Sequence, residues 1–188
     1  MKKNVTKILS IALLSFTGYV NAATITWSNT NATVAPADTF SLDVIGTGFI
    51  SNVDGGGVNI SFDPNFLNVL SVTIDTVVWD FGPSGISTGI IDNVAGTVNG
   101  IMVNAISAIP TDFTVASIQF QQVGAGTSSA LNITEYALNP WASGGSAINP
   151  AFVGGNVSLS AVPVPAAIWL FGSGIVAFST LVRRKSRI

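Results

Sequence analysis

The sequence predicts an all-β fold, an antiparallel β-sandwich, occupying the middle of the chain between two apolar ends. Three observations predict it. Apolar and polar residues alternate in short runs, the period of a half-buried strand. Gly- and Asn-rich stretches separate those runs. Outside the termini no amphipathic helix of useful length occurs, so the strands must cover one another, as two sheets packed face to face do.

Taken in order, the chain opens on Met1-Lys2-Lys3 and Lys7, followed by an apolar run from Ile8 to Phe16. Val20-Asn21-Ala22 then places Val at −3 and Ala at −1 of a cut between Ala22 and Ala23. This is the layout of a secretory signal peptide over residues 1–22. The alternative, an uncleaved anchor helix, asks more length of the apolar run than it has.

Residues 23–161 form the predicted sandwich, and roughly 140 residues suit one domain. Phe40, Leu42 and Val44 alternate with Ser41 and Asp43; Val58, Ile60 and Phe62 with Asn59 and Ser61; Leu70, Val72 and Ile74 with Ser71 and Thr73. Further runs follow at Val98–Val103, at Ala116, Ile118 and Phe120, at Leu131 and Ile133, and at Val157 and Leu159. Asp54-Gly55-Gly56-Gly57, Gly124-Ala125-Gly126 and Ser143-Gly144-Gly145 are expected to be the turns between strands.

Three of these segments carry a resemblance. Asp38–Val44, then Gly57–Val72 with its strand ending Ser61-Phe62-Asp63-Pro64, then Phe113–Phe120 followed by Gly124–Leu131, together resemble the cohesin domain over about residues 25–159. The resemblance implies a nine-stranded jelly roll, related in shape to some carbohydrate-binding modules, that binds a partner module called a dockerin through one sheet face. Asp63-Pro64 suits the turn in that signature, because Asp caps a turn and Pro presets φ at its first corner.

Charge then narrows the function. All seven Lys and Arg lie at the termini and all nine acids lie between them, so residues 23–161 carry a formal charge of −9 with no cation at all. Such a domain repels nucleic acid and cannot cradle phosphate with a Lys or Arg. The chain has no His and no Cys. Ser-His-Asp and Cys-His nucleophilic sites are therefore excluded, as are the usual zinc sites. Only carboxylate chemistry survives, either a glycosidase pair or a calcium site. Glycosidase clefts mostly recruit His, Arg or Lys as well, so the domain reads as non-catalytic. Asn52-Val53-Asp54-Gly55 echoes a calcium loop without the closing bidentate Glu, and the simpler reading is that Asp54 caps a Gly-rich turn. No resident cofactor is expected, and calcium is the one ion the carboxylates would welcome.

Aromatic residues are the remaining handle on a ligand. Trp27, Trp79, Trp141 and Tyr136 lie in the domain, and Trp141 stands in Asn139-Pro140-Trp141-Ala142-Ser143, a segment read as a loop. An exposed Trp141 would be a contact for a sugar face or a partner protein; the alternative is core packing or a lid on the open end of the sandwich.

The chain closes with Val162-Pro163-Val164-Pro165, an uncharged run over residues 166–182 containing Trp169, Gly172 and Gly174, and a basic tail over 183–188 with Arg183, Arg184, Lys185 and Arg187. As a helix the run measures about 26 Å at ~1.5 Å per residue, just able to span a bilayer core. The cations at its end hold the terminus in the cytoplasm and leave the sandwich outside the inner membrane. The prolines keep residues 162–165 extended, a form that processing enzymes bind. Taken together, residues 162–188 resemble the PEP-CTERM sorting signal of Gram-negative bacteria, in its Val-Pro-x-Pro-Ala variant; Val164 stands where the commoner form has Glu. The resemblance implies cleavage near the prolines by an exosortase-type transpeptidase and transfer to the cell surface or matrix. The alternative is a plain tail anchor in which Gly172 and Gly174 serve helix packing.

Two functions remain from the sequence. One is a surface-sorted interaction protein that contacts other proteins or matrix; the other is a carbohydrate-binding module for exopolysaccharide, neutral or bridged by calcium.

Overall fold

The computed structural model describes residues 22–50, 52–160 and Phe171. Between Thr24 and Leu159 the described chain forms thirteen strands and no helix. The longer strands are β3 (Thr39–Thr47), β4 (Val53–Ser61), β5 (Leu67–Thr73), β6 (Ser87–Asp92), β7 (Thr97–Ile109), β8 (Phe113–Gln122) and β9 (Ser128–Glu135). Shorter ones are β1 (Thr24–Trp27), β2 (Asn31–Val34), β10 (Ala142–Ser143), β11 (Ser146–Ala147), β12 (Ala151–Phe152) and β13 (Gly155–Leu159).

They build two sheets. One runs β12-β1-β3-β8-β5; the other runs β11-β10-β4-β9-β13-β2, with β7 paired to β4 and β6 to β7. Most pairs are antiparallel, but β1 runs parallel to β12 and β2 parallel to β13. The predicted sandwich therefore stands, with a parallel pair in each sheet.

The core follows the alternation. Along β9 Ser129, Leu131 and Ile133 are buried while Ala130, Asn132 and Thr134 are exposed, a half-buried strand of period two. Phe120 from β8 is fully buried and meets Trp27, Phe40 and Phe62 at ring distances of 6.0, 5.6 and 6.1 Å. Burial of one such ring contributes about 1.5–3 kcal/mol.

Two expectations are corrected. Leu70 was expected inside with Val72 and Ile74, yet it is 47% exposed. The β5–β8 register shifts between Val69 and Ser71. A bulge there reverses the parity of the strand, so Leu67, Val69 and Val72 point inward and Leu70 points out. Asp54-Gly55-Gly56-Gly57 was expected as a turn, yet all four residues lie within β4 and the three glycines pair with β7, Asp54 falling at a register shift. Their glycines serve close approach: a Cβ on Gly56 would stand 2.1 Å from Cδ2 of Trp141.

The other turns form as read. Gly124-Ala125-Gly126 lies between β8 and β9, and Gly144 and Gly145, at φ of 56° and 74°, close the β10–β11 hairpin. Asp63 caps its turn, its Oδ1 accepting from Asn65 N at 2.9 Å.

Candidate functional site

The aromatic side chains sort into buried and available ones, and the result differs from the sequence reading. Trp141 is fully buried. Its ring stacks on Phe113 at 5.7 Å and 23°, and Phe49 packs against both rings. Trp79, also fully buried, meets Phe113 edge-on at 5.4 Å and donates Nε1–H to Thr114 O at 2.9 Å. Trp141 is thus no exposed ligand contact but part of an aromatic plug between the sheets, the lid alternative. Gly56 lets it in. The backbone N–H of Trp141 donates to Glu135 Oε1, which fixes the segment from the end of β9.

One aromatic that reaches the surface is Tyr136, half-buried one residue past β9. Gly56 faces the plug, so its neighbour Gly57 faces outward. Tyr136 lies over Gly57 and over Gly100 of β7, its Cδ1 3.0 Å from where a Gly57 Cβ would be and its Cζ 3.3 Å from the same point on Gly100. Two glycines on adjacent strands make a shelf for one flat ring. Tyr136 N–H donates to Gly57 O at 3.0 Å and pins the ring's base. Gly100 has φ of 78°, and its N–H donates to Asn59 Oδ1 at 2.9 Å, so the irregularity beside the shelf is held by a side chain.

Register places the surroundings of that ring. Asn59 and Ser61 of β4 lie opposite Thr134 and Asn132 of β9; Gly57 pairs with Met102 of β7, and Asn99 pairs with Ile90 of β6. Ile90 is 75% exposed. The outward row holds amides, hydroxyls, a thioether and an isoleucine; the acids on these strands are Asp92 at the β6–β7 corner, Asp54 of β4 and Glu135 of β9, the last two accepting from Gly145 N–H and Trp141 N–H. Most other acids sit in loops: Asp38, Asp63, Asp75, Asp80 and Asp112 are all outside strands.

The carboxylates do not assemble. Among the described residues no three acids stand close enough to hold a metal ion. Asp54, the sequence candidate for calcium, spends Oδ2 on Gly145 N–H at 2.6 Å and ties the β10–β11 hairpin to β4. Asp80 is held below its ordinary pKa: the Ser107 hydroxyl, then the N–H groups of Ile106 and Ser107, stabilise its carboxylate.

Ala22 is exposed, and Ala23 packs partly on the core, its carbonyl accepting from Ala151 N–H at 2.8 Å. Val162, Pro163, Val164, Pro165, Trp169, Gly172, Gly174, Arg183, Arg184 and Lys185 lie outside the described residues, as does all of the helix expected over 166–182 except Phe171. Sequence reasoning missed Tyr136 as a surface aromatic. The signal was there in Gly57, Gly100 and Tyr136, but only strand pairing brings them together.

Comparison with solved structures settles the architecture. The chain has the cohesin fold. It superposes on the cohesin of a type I cohesin–dockerin complex from Clostridium thermocellum with a TM-score of 0.61 at 17% identity, covering 74% of this chain and 100% of that one. The cohesin CaCohA2 from Clostridium acetobutylicum gives 0.57 at 19% identity, covering 74% and 92%. The seventh ScaB type I cohesin from Pseudobacteroides cellulosolvens gives 0.55 at 14% identity, covering 77% and 96%. No protein-family model and no curated protein matches the sequence.

Proposed function

We propose that this protein is an exported, non-catalytic interaction module whose partner surface is the outer face of β6, β7, β4 and β9, centred on Tyr136. The observation that carries the reading is that ring on its two-glycine shelf, with Met102 and Ile90 on the neighbouring strands. Interface centres are enriched in Tyr and Met, the side chains gathered on this shelf. The opposite sheet lacks such an anchor and presents Ser41, Asp43, Gln119 and Gln121 instead. Several neighbours in fold were crystallised in complex with dockerins, which supports a protein partner over a glycan. Exosortase sorting completes the reading: the signal at residues 162–188 delivers the module to the cell surface after passage through the inner membrane.

Position-specific photo-crosslinking tests the surface. A crosslinking residue at Thr134, on the proposed face, should give a discrete covalent protein adduct in living cells, and one at Thr114, on the opposite sheet, should not. Tyr136→Ala should weaken that adduct by about tenfold or more, the loss of a binding hot spot. Equal adducts from both positions, or none from either, would remove the face from the account.

A further inference from the structure

We propose that the groove bounded by Thr76, Trp79, Asp80, Gly82, Pro83 and Ile86 docks a segment of a partner protein in which a Lys or Arg is flanked by apolar side chains. This second surface is separate from the Tyr136 face and does not depend on it.

The groove encloses about 480 Å³ and is walled mainly by apolar atoms. Its floor is rigid, since Trp79 is fully buried and anchored on Thr114 O. Its rim is tied down too: Phe81 N–H donates to Asn104 O, and Asn104 Nδ2 donates to Gly85 O at 2.9 Å. Val77 and Phe81 of the same loop, at 87% and 53% exposure, and Ile106 of β7, at 77%, continue the apolar surface. Exposed aliphatic and aromatic side chains gathered on rigid loops favour an interaction surface over chance.

Asp80 decides the occupant. Oδ1 accepts from Ile106 N at 2.7 Å and Ser107 N at 3.3 Å, and Oδ2 accepts from Ser107 Oγ at 2.7 Å. These donors fix the carboxylate, so a preoriented anion stands at the edge of an apolar groove. That combination fits an ammonium or guanidinium on an aliphatic stem. Residues 23–161 contain no Lys, Arg or His, so nothing in the domain can supply the cation. A second copy of residues 23–161 brings nine more acids and no base, so that part is repelled. The described sandwich ends at Ser160, whose N–H bonds Val34 O beside the pairing of β13 with the start of β9, at the end opposite the groove. The occupant that this groove fits is a basic and partly apolar segment of another protein.

The test uses the full chain in non-ionic detergent, titrated with a capped pentapeptide alternating leucine with lysine and followed by backbone amide shifts. Saturable shifts should concentrate on residues 76–86 and on Ile106 and Ser107. Asp80→Asn and Thr76→Arg should each weaken binding tenfold or more. The second places a cation in the groove from an exposed position, where folding is not at risk. Asp92→Asn, at the remote corner, should leave affinity unchanged, and a leucine–glutamate peptide should not bind. Shifts scattered over all acidic positions, equal loss with Asp92→Asn, or no effect from both groove variants would overturn the proposal.

Discussion

Gly56→Ala isolates the device that seats the aromatic plug. The new methyl would stand 2.1 Å from Trp141 Cδ2 and 2.5 Å from Cε2 and Cγ, where ordinary contact begins near 3.4 Å. The ring cannot simply tilt away, because Phe113 stacks on it and Phe49 packs against it. The strand cannot retreat without breaking its pairing of Gly56 with Val103. Overpacking of this kind costs about 1–3 kcal/mol, and this case belongs at the upper end because both neighbours are fixed. At about 3 °C per kcal/mol for a domain of this size, thermal unfolding should fall by roughly 6–9 °C. Trp141→Leu alone leaves a cavity and costs about 2–4 kcal/mol. Combined, the two changes should be less damaging than their sum by about 1–2 kcal/mol, since the smaller side chain vacates the space that the methyl takes. The assay is a double-mutant cycle by thermal and urea unfolding. Strict additivity, or a Gly56→Ala change within ~0.5 kcal/mol of the parent, would refute the close approach of ring and strand.

Other outcomes follow from the same structure. Leu70→Thr should change stability by no more than ~0.5 kcal/mol, whereas Phe120→Ala should cost about 3–5 kcal/mol; urea midpoints compare them, and a large loss at Leu70 would contradict the bulge. With nine acids and no internal cation, raising salt from low to about 0.5 M should raise the unfolding temperature by screening repulsion. A fall on adding salt would contradict that charge pattern. Asp80 has a folded pKa below its ordinary 3.8, so its contribution to stability is fully present above that value and is lost as pH falls through the lower folded one. Asp80→Asn should flatten the acid limb of the stability–pH curve in that window, measured by urea unfolding between pH 2 and about 5. A limb of unchanged slope would show that Ser107 and Ile106 do not hold the carboxylate as described.

Much of the fold was legible because alternation at β3, β4, β8 and β9 is set by which side chains must leave water, and that is written residue by residue. What escaped depended on partners distant in sequence. Glycine reads as turn punctuation in one dimension. At Gly56 and Gly57 its missing side chain instead makes room for Trp141 on one face and for Tyr136 on the other. The bulge at Leu70 belongs to the pairing of β5 with β8, so the run itself shows an unbroken period. β6, with Gly89 and few apolar residues, becomes a strand because β7 is there to pair with it. For the site, composition pointed to non-catalytic binding and to aromatics as anchors. It chose Trp141, whose Pro- and Gly-flanked setting resembles an exposed loop, because stacking on Phe113 appears only in three dimensions.

The central claim is that the sandwich works outside the inner membrane after losing a temporary C-terminal tether. Intact-protein mass spectrometry of the chain recovered from the surface of unbroken cells tests it most directly. The account predicts a polypeptide beginning at Ala23 and ending near Pro165, without Arg183, Arg184, Lys185 or Arg187. A surface form that retains those cations, or a sandwich found only in the cytosol, would contradict it.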